Sequence, residues 1–79
     1  MTLNDFIELI KEAGYKVFRG QYCIDISNGH TPCASVSLCN YADGWVNTRS
    51  IDDEIDRAQL ISLVSEFANT PLGNRYGKV

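Results

Sequence analysis

The sequence predicts a small α+β domain of order α-β-β-β-(β)-α, an antiparallel meander with two helices packed on one of its faces. Three observations predict it. Apolar residues recur at helical spacing near both ends of the chain, through Leu3, Phe6 and Ile10 and again from Leu60 to Ala68. Between them the residues alternate with a period of two, as half-buried strands do. Turn dipeptides, Gly20-Gln21, Asn28-Gly29 and Asp43-Gly44, divide that middle region into short pieces. The 79 residues make a single domain, 1–79, with about 73–79 a loose tail. A chain of this size buries only about 60% of its unfolded surface, so the core is thin.

Residues 3–13 read as the first helix. Leu3, Phe6, Ile7, Ile10 and Ala13 form its apolar stripe, and Leu9 widens it. Thr2 is placed to accept a free backbone N–H at the start, and Gly14 supplies the left-handed residue that ends it.

A strand follows over 15–19. A two-residue Gly20-Gln21 turn pairs Arg19 with Tyr22, Val17 with Ile24 and Tyr15 with Ile26, which puts the apolar sets on one face. The third strand, 33–39, turns Ala34, Val36 and Leu38 to that same face only if the Asn28-Gly29 loop has an odd number of residues. Three residues place Ile24 opposite Ala34 and Tyr22 opposite Val36; five residues are the other solution, and a Gly bulge is expected in the loop. Pro32 points to an edge there or a displaced first pair. Trp45 to Thr48 reads as a short fourth strand with two registers open. A three-residue loop faces Tyr41 to Trp45 on the outer side, and a two-residue loop turns Trp45 inward.

Ser50 to Asp56 reads as a polar connection that can hold a helical turn. The last helix then buries Leu60, Ile61, Val64, Phe67 and Ala68, with Leu63 beside them. Asn69-Thr70-Pro71 stops it, because proline disfavours helical backbone in the residue before it.

Charge and composition exclude several functions. Net charge is −3, and the seven basic residues, scattered from Lys11 to Lys78, form no stripe to meet phosphate. Direct nucleic-acid binding and binding to an anionic membrane are therefore not expected. No stretch approaches the 18 apolar residues of a membrane span, and Asn4, Asp5, Glu8, Lys11 and Glu12 interrupt any secretory core after Met1. Cys23, Cys33 and Cys39 are odd in number and lack a CxxC pair, which predicts reduced thiols in a cytoplasmic protein.

With His30, those thiols could make four zinc ligands, but zinc sites bring ligands in closely spaced pairs. Cys33, His30 and Asp25, the predicted cross-strand neighbour of Cys33, could make a nucleophile, base and orienter. Short hairpins produce such proximities freely, and each of Gly14, Gly20, Gly29 and Gly44 already serves a cap or turn rather than a phosphate loop. No catalytic, metal or cofactor residue is assigned, and no cofactor is expected. The run Asp52-Asp53-Glu54 with Asp56 suits a helix N-terminus, where the dipole favours acid.

The segment Leu60-x-x-Leu63-Val64-Ser65-Glu66-Phe67-Ala68-Asn69-Thr70-Pro71-Leu72-x-x-Arg75 is similar to the C-terminal helix of small proteins encoded by phages and prophages of Gram-positive bacteria. The resemblance covers about the last quarter of the chain and implies provenance, with no site residues. A short helix followed by Gly14-Tyr15-x-Val17 and a small meander resembles phage-encoded inhibitors of CRISPR nucleases. This chain is less acidic than the members of that group that mimic DNA.

The register argument leaves Phe18, Cys23, Cys33, Cys39, Tyr41 and, in one register, Trp45 on the outer sheet face. Lys16, Asp25, Ser35 and Ser37 separate them. Exposed aromatic patches mark interfaces. The expectation is a non-catalytic phage or prophage accessory protein. It would self-associate as a homodimer or dock a host or phage protein through Phe18, Tyr41 and Trp45. The alternative is an acidic, anti-CRISPR-like inhibitor that engages a nucleic-acid enzyme through Asp52, Asp53, Glu54 and Asp56.

Overall fold

The computed structural model describes residues 1–75. Helix α1 (Leu3–Glu12) begins where expected, and the Asp5 N–H donates to Thr2 Oγ1 at 3.2 Å. Leu3, Phe6 and Ile10 are buried, whereas Ile7 is half-buried and Leu9 and Ala13 are exposed. Gly14 takes φ +97° and ends the helix, as the absence of a Cβ allows.

Strands β1 (Lys16–Arg19), β2 (Cys23–Ser27), β3 (Pro32–Ser37) and β4 (Gly44–Val46) form one antiparallel sheet in sequence order. Helix α2 (Glu54–Ala68) completes an α-β-β-β-β-α order. Both helices lie on one face, where Phe6, Ile10, Leu60, Val64 and Phe67 join Ile24, Ile26 and Val36 in a single core. The Phe6 and Phe67 rings stack at 4.5 Å and 11°, which fixes α1 against α2. Among the described residues no helix is long and apolar enough to cross a membrane.

The first and third hairpins depart from the registers expected of them, and the second takes one of its two expected registers. In the first, Val17 pairs with Ile26 and Arg19 with Ile24, a slip of two residues. A slip of two keeps every side chain on its face, but it moves Tyr22 out of the ladder and into the loop. That placement keeps a phenolic hydroxyl out of a core where it would need a partner. The loop closes through the Gly20 N–H, which donates to the Cys23 carbonyl at 2.8 Å.

In the second hairpin, Ile24 pairs with Val36 and Ile26 with Ala34, the five-residue solution rather than the three-residue one. Ser27 then pairs with Pro32, so the extra residue is Cys33 on β3, not a glycine of the loop as expected. Proline has no N–H for a regular pair, and the bulge turns both Cys33 and Ala34 inward. Cys33 is thus fully buried, not on the outer face.

In the third hairpin, Trp45 pairs with Ser35 and Val46 with Ala34. Trp45 faces outward, but not opposite Tyr41. Leu38 drops into the core and the chain leaves the sheet after Ser37. The Ser37 hydroxyl accepts from the Cys39 and Asn40 N–H groups at 3.1 and 3.0 Å, turning the loop away.

Helix α2 starts earlier than its apolar stripe. Asp53 Oδ1 accepts from the Ile55 and Asp56 N–H groups at 2.8 and 3.0 Å, after a 3-10 turn over Thr48–Ser50. Leu60, Val64, Phe67 and Ala68 are buried, but Ile61 is 40% exposed and lies off the stripe. Pro71 is followed by another 3-10 turn, Leu72–Asn74, and then by Arg75, which is wholly buried. The expected loose tail is therefore corrected for residues 73–75, and its remainder, 76–79, lies outside the described residues.

Arg75 is held by the end of α2. Its Nε donates to the Thr70 carbonyl at 3.0 Å, Nη2 to the Ala68 carbonyl at 2.8 Å and Nη1 to the Ser37 carbonyl at 2.7 Å. The guanidinium also sits 4.7 Å above the Phe67 ring. Carbonyls at a helix C-terminus have no partner within the helix and carry partial negative charge, so a fork of N–H donors answers both needs.

Candidate functional site

Along one row of the outer sheet face, Phe18 pairs with Asp25, Asp25 with Ser35, and Ser35 with Trp45. At a strand spacing of about 4.8 Å, Phe18 and Trp45 stand about 14 Å apart at the two edges of the sheet. Phe18 is 60% exposed and Trp45 51%. The middle of the row is polar. Asp25 Oδ1 accepts from the Ser35 hydroxyl at 2.9 Å and from the Cys23 thiol at 3.7 Å.

A groove of about 280 Å³ lies beside this row. It is lined by Tyr22, Cys23, Ser35, Ser37, Asp43 and Trp45. Gly44 also lines it and sets its shape, since a Cβ there would meet the Ser35 carbonyl oxygen at 2.9 Å. Backbone this close leaves no room for a side chain, so only glycine brings β4 in at this point. The ammonium of Lys16 lies at the β2–β3 turn, where a Cβ on Gly29 would be 3.9 Å from it.

Of the three residues expected to form an interface, Phe18 and Trp45 share the row and Tyr41 does not. Tyr41 is exposed on the β3–β4 loop, whose Ala42 N–H donates to the Ala68 carbonyl at 2.8 Å and so ties the loop to the end of α2. Tyr22, 65% exposed, takes the place beside Trp45 that Tyr41 was expected to hold. Its phenolic hydroxyl, costly on a core face, was the signal in the sequence.

The cysteines do not gather. Cys33 is buried, with its thiol donating to the Thr31 carbonyl at 3.5 Å; Cys39 is exposed in a loop and Cys23 is half-buried. Asp25 pairs with Ser35 rather than with Cys33. The arrangement of Cys33, His30 and Asp25 as nucleophile, base and orienter therefore does not form. Among the described residues no group of three or more His, Cys, Asp or Glu side chains could hold a metal ion.

The acidic run starts α2: Asp53 caps it, and Glu54 and Asp56 occupy its first turn. Tyr15 lines a cavity of about 340 Å³ together with Asp52, Asp53 and Asp56. Its phenol titrates above its ordinary value of 10.0, through burial first and then the charges of Asp56, Cys33 and Asp53. A third hollow, about 360 Å³, is lined by Asp5, Glu8, Glu12 and Glu66 with Met1 and Leu9. It is larger than the outer groove but has no aromatic wall and no convergent donors. Comparison of the chain with protein-family models, with curated proteins and with solved structures finds no match.

Proposed function

We propose that this domain is a non-catalytic binding module that docks a partner protein through its outer sheet face. The observation that carries the reading is the row Phe18–Asp25–Ser35–Trp45, with exposed aromatic side chains at both ends and, among the described residues, no helix over it. Aromatic residues are enriched in the cores of protein interfaces, and Trp and Tyr are among the few that carry most of the binding energy. The two core helices are already buried against the opposite face, so the outer face is the broad surface left to a partner. In this reading the module is a phage accessory protein that acts in the cytoplasm, and the likeness of its C-terminal helix to phage and prophage proteins supports that part.

The acidic residues give less support to an inhibitor of a nucleic-acid enzyme. Asp53 is committed to capping α2, and Glu54 and Asp56 already complement its dipole.

Photo-crosslinking in the cells that produce the protein tests the proposal. A benzophenone side chain replaces Phe18 or Trp45 in turn, and Ile55, exposed on α2, serves as the comparison site. The expected result is a discrete adduct of higher mass from positions 18 and 45 and none from 55. Adducts from 55 alone would move the interface to the helices and sink the reading.

A further inference from the structure

We propose that the outer groove takes an arginine side chain, presented by an extended segment of the partner protein; this rests on the binding reading above and names the chemistry of the occupant. At about 280 Å³ the groove falls just below the roughly 300–1,000 Å³ of pockets that enclose small molecules. Its size suits one long side chain. Its walls include Trp45 and Tyr22, both more than half exposed, whose ring faces attract a cation.

The charge around it is negative and uncompensated from within the site. Asp43 lines the groove, and Asp25 is one hydrogen bond from the lining residues Ser35 and Cys23. Both of those bonds go to Oδ1, and among the described residues Oδ2 of Asp25 accepts none. Lys16, the one basic residue of this face among the described residues, holds its ammonium at the far turn. An apolar partner would strip water from the Asp25 carboxylate and return nothing. A second copy of the chain would bring two such carboxylates together. A guanidinium answers the carboxylates with paired N–H donors and stacks on an indole, which an ammonium does less well.

Trp45 is the single tryptophan of the chain, so its emission reports on the groove directly. The probes are a capped hexa-arginine peptide and hexacitrulline, which keeps the shape and loses the charge. A six-residue extended peptide, about 20 Å long, covers the width of the sheet. Hexa-arginine is expected to change Trp45 emission saturably at low ionic strength, and hexacitrulline to bind about tenfold more weakly or not at all. Added salt should weaken the arginine complex. The double variant Asp25→Asn, Asp43→Asn should lose about fivefold or more in affinity with an unchanged circular dichroism spectrum. The double variant Glu8→Gln, Glu12→Gln removes as much charge from α1 and should bind as the parent does. Equal binding of hexacitrulline overturns the proposal. So does an equal loss in the α1 variant, which would mean attraction to net charge alone. If crosslinking at positions 18 and 45 persists while the arginine preference fails, this inference falls and the binding reading stands. If both fail, both fall.

Discussion

Arg75 does most to hold the end of this fold together. Its three donors serve carbonyls of Ala68 at the end of α2, Thr70 just beyond it and Ser37 at the end of β3, and its own carbonyl accepts from the Leu3 N–H. Removing it takes a donor from each of three carbonyls, of which Ala68 keeps the Ala42 N–H, and leaves a void beside Phe67. Arg75→Ala is expected to cost on the order of 3–5 kcal/mol, comparable to all the stability a core of this size supplies. Urea denaturation should find the variant largely unfolded at room temperature. Arg75→Lys should be nearly as damaging, since an ammonium cannot span three carbonyls in a fixed plane. Parental stability in the Arg75→Lys protein would reduce Arg75 to a space-filler. From the sequence, this residue reads as one more charge beyond a helix stop at Pro71. Spacing along a chain does not reveal that a tertiary contact 38 residues away, to Ser37, draws it inside.

Gly44 is the other residue on which geometry turns. A Cβ there would lie 2.9 Å from the Ser35 carbonyl oxygen and 3.4 Å from Val36 Cα, both backbone atoms that cannot rotate aside. Gly44→Ala must push β4 away from β3. A cost of about 1–3 kcal/mol is expected, as for other overpacked sites. Because Trp45 follows directly, its emission should shift along with the urea midpoint. Stability lost with unchanged emission would mean that the strain relaxes elsewhere.

At the scale of elements, the sequence was most legible where a signal is local. The Thr2 cap, the Gly14 stop and the apolar faces of both helices follow from side chains within a turn of each other. The hairpins were half legible. Alternation decides which face a residue occupies but is blind to a slip of two, and the first hairpin makes that slip. At Pro32 the bulge breaks parity itself and carries Cys33 from the outer face to the core. Ile61 was misread because an apolar residue at the edge of a helical stripe can face either way on so thin a layer.

Tyr15 joins α1 to β1 and faces the start of α2, so its titration tests that junction. Its pKa in the folded state lies above the unfolded value of 10.0, through burial and then Asp56, Cys33 and Asp53. The sign follows from linkage. The folded state holds the phenol proton more tightly, so this contribution is complete below pH 10.0 and is lost as pH rises through the raised folded value. The urea midpoint of the parent protein should therefore fall more steeply above that pH than the midpoint of Tyr15→Phe. Parallel curves for the two would show that the junction opens before the phenol ionises.

At the scale of the whole molecule, the described residues form two layers and leave one sheet face without a cover, and the question is whether a second copy covers it. Four strands at about 4.8 Å and about five residues at 3.3 Å give a face of roughly 320 Å² in projection. A stable protein interface takes about 800 Å² from each partner. The centre of the face is Asp25, and burying it against a like copy would leave a carboxylate without a counter-charge. Area and charge both oppose a stable homodimer and allow a weaker, transient complex with a cationic partner. Light scattering should therefore give a molar mass near 8.8 kDa across a range of concentrations. A mass near twice that value, reduced to the monomer by Trp45→Lys, would mean that the outer face is consumed in self-association. The site for any other partner would then have to lie on the helices or the loops, among them the one that carries Tyr41.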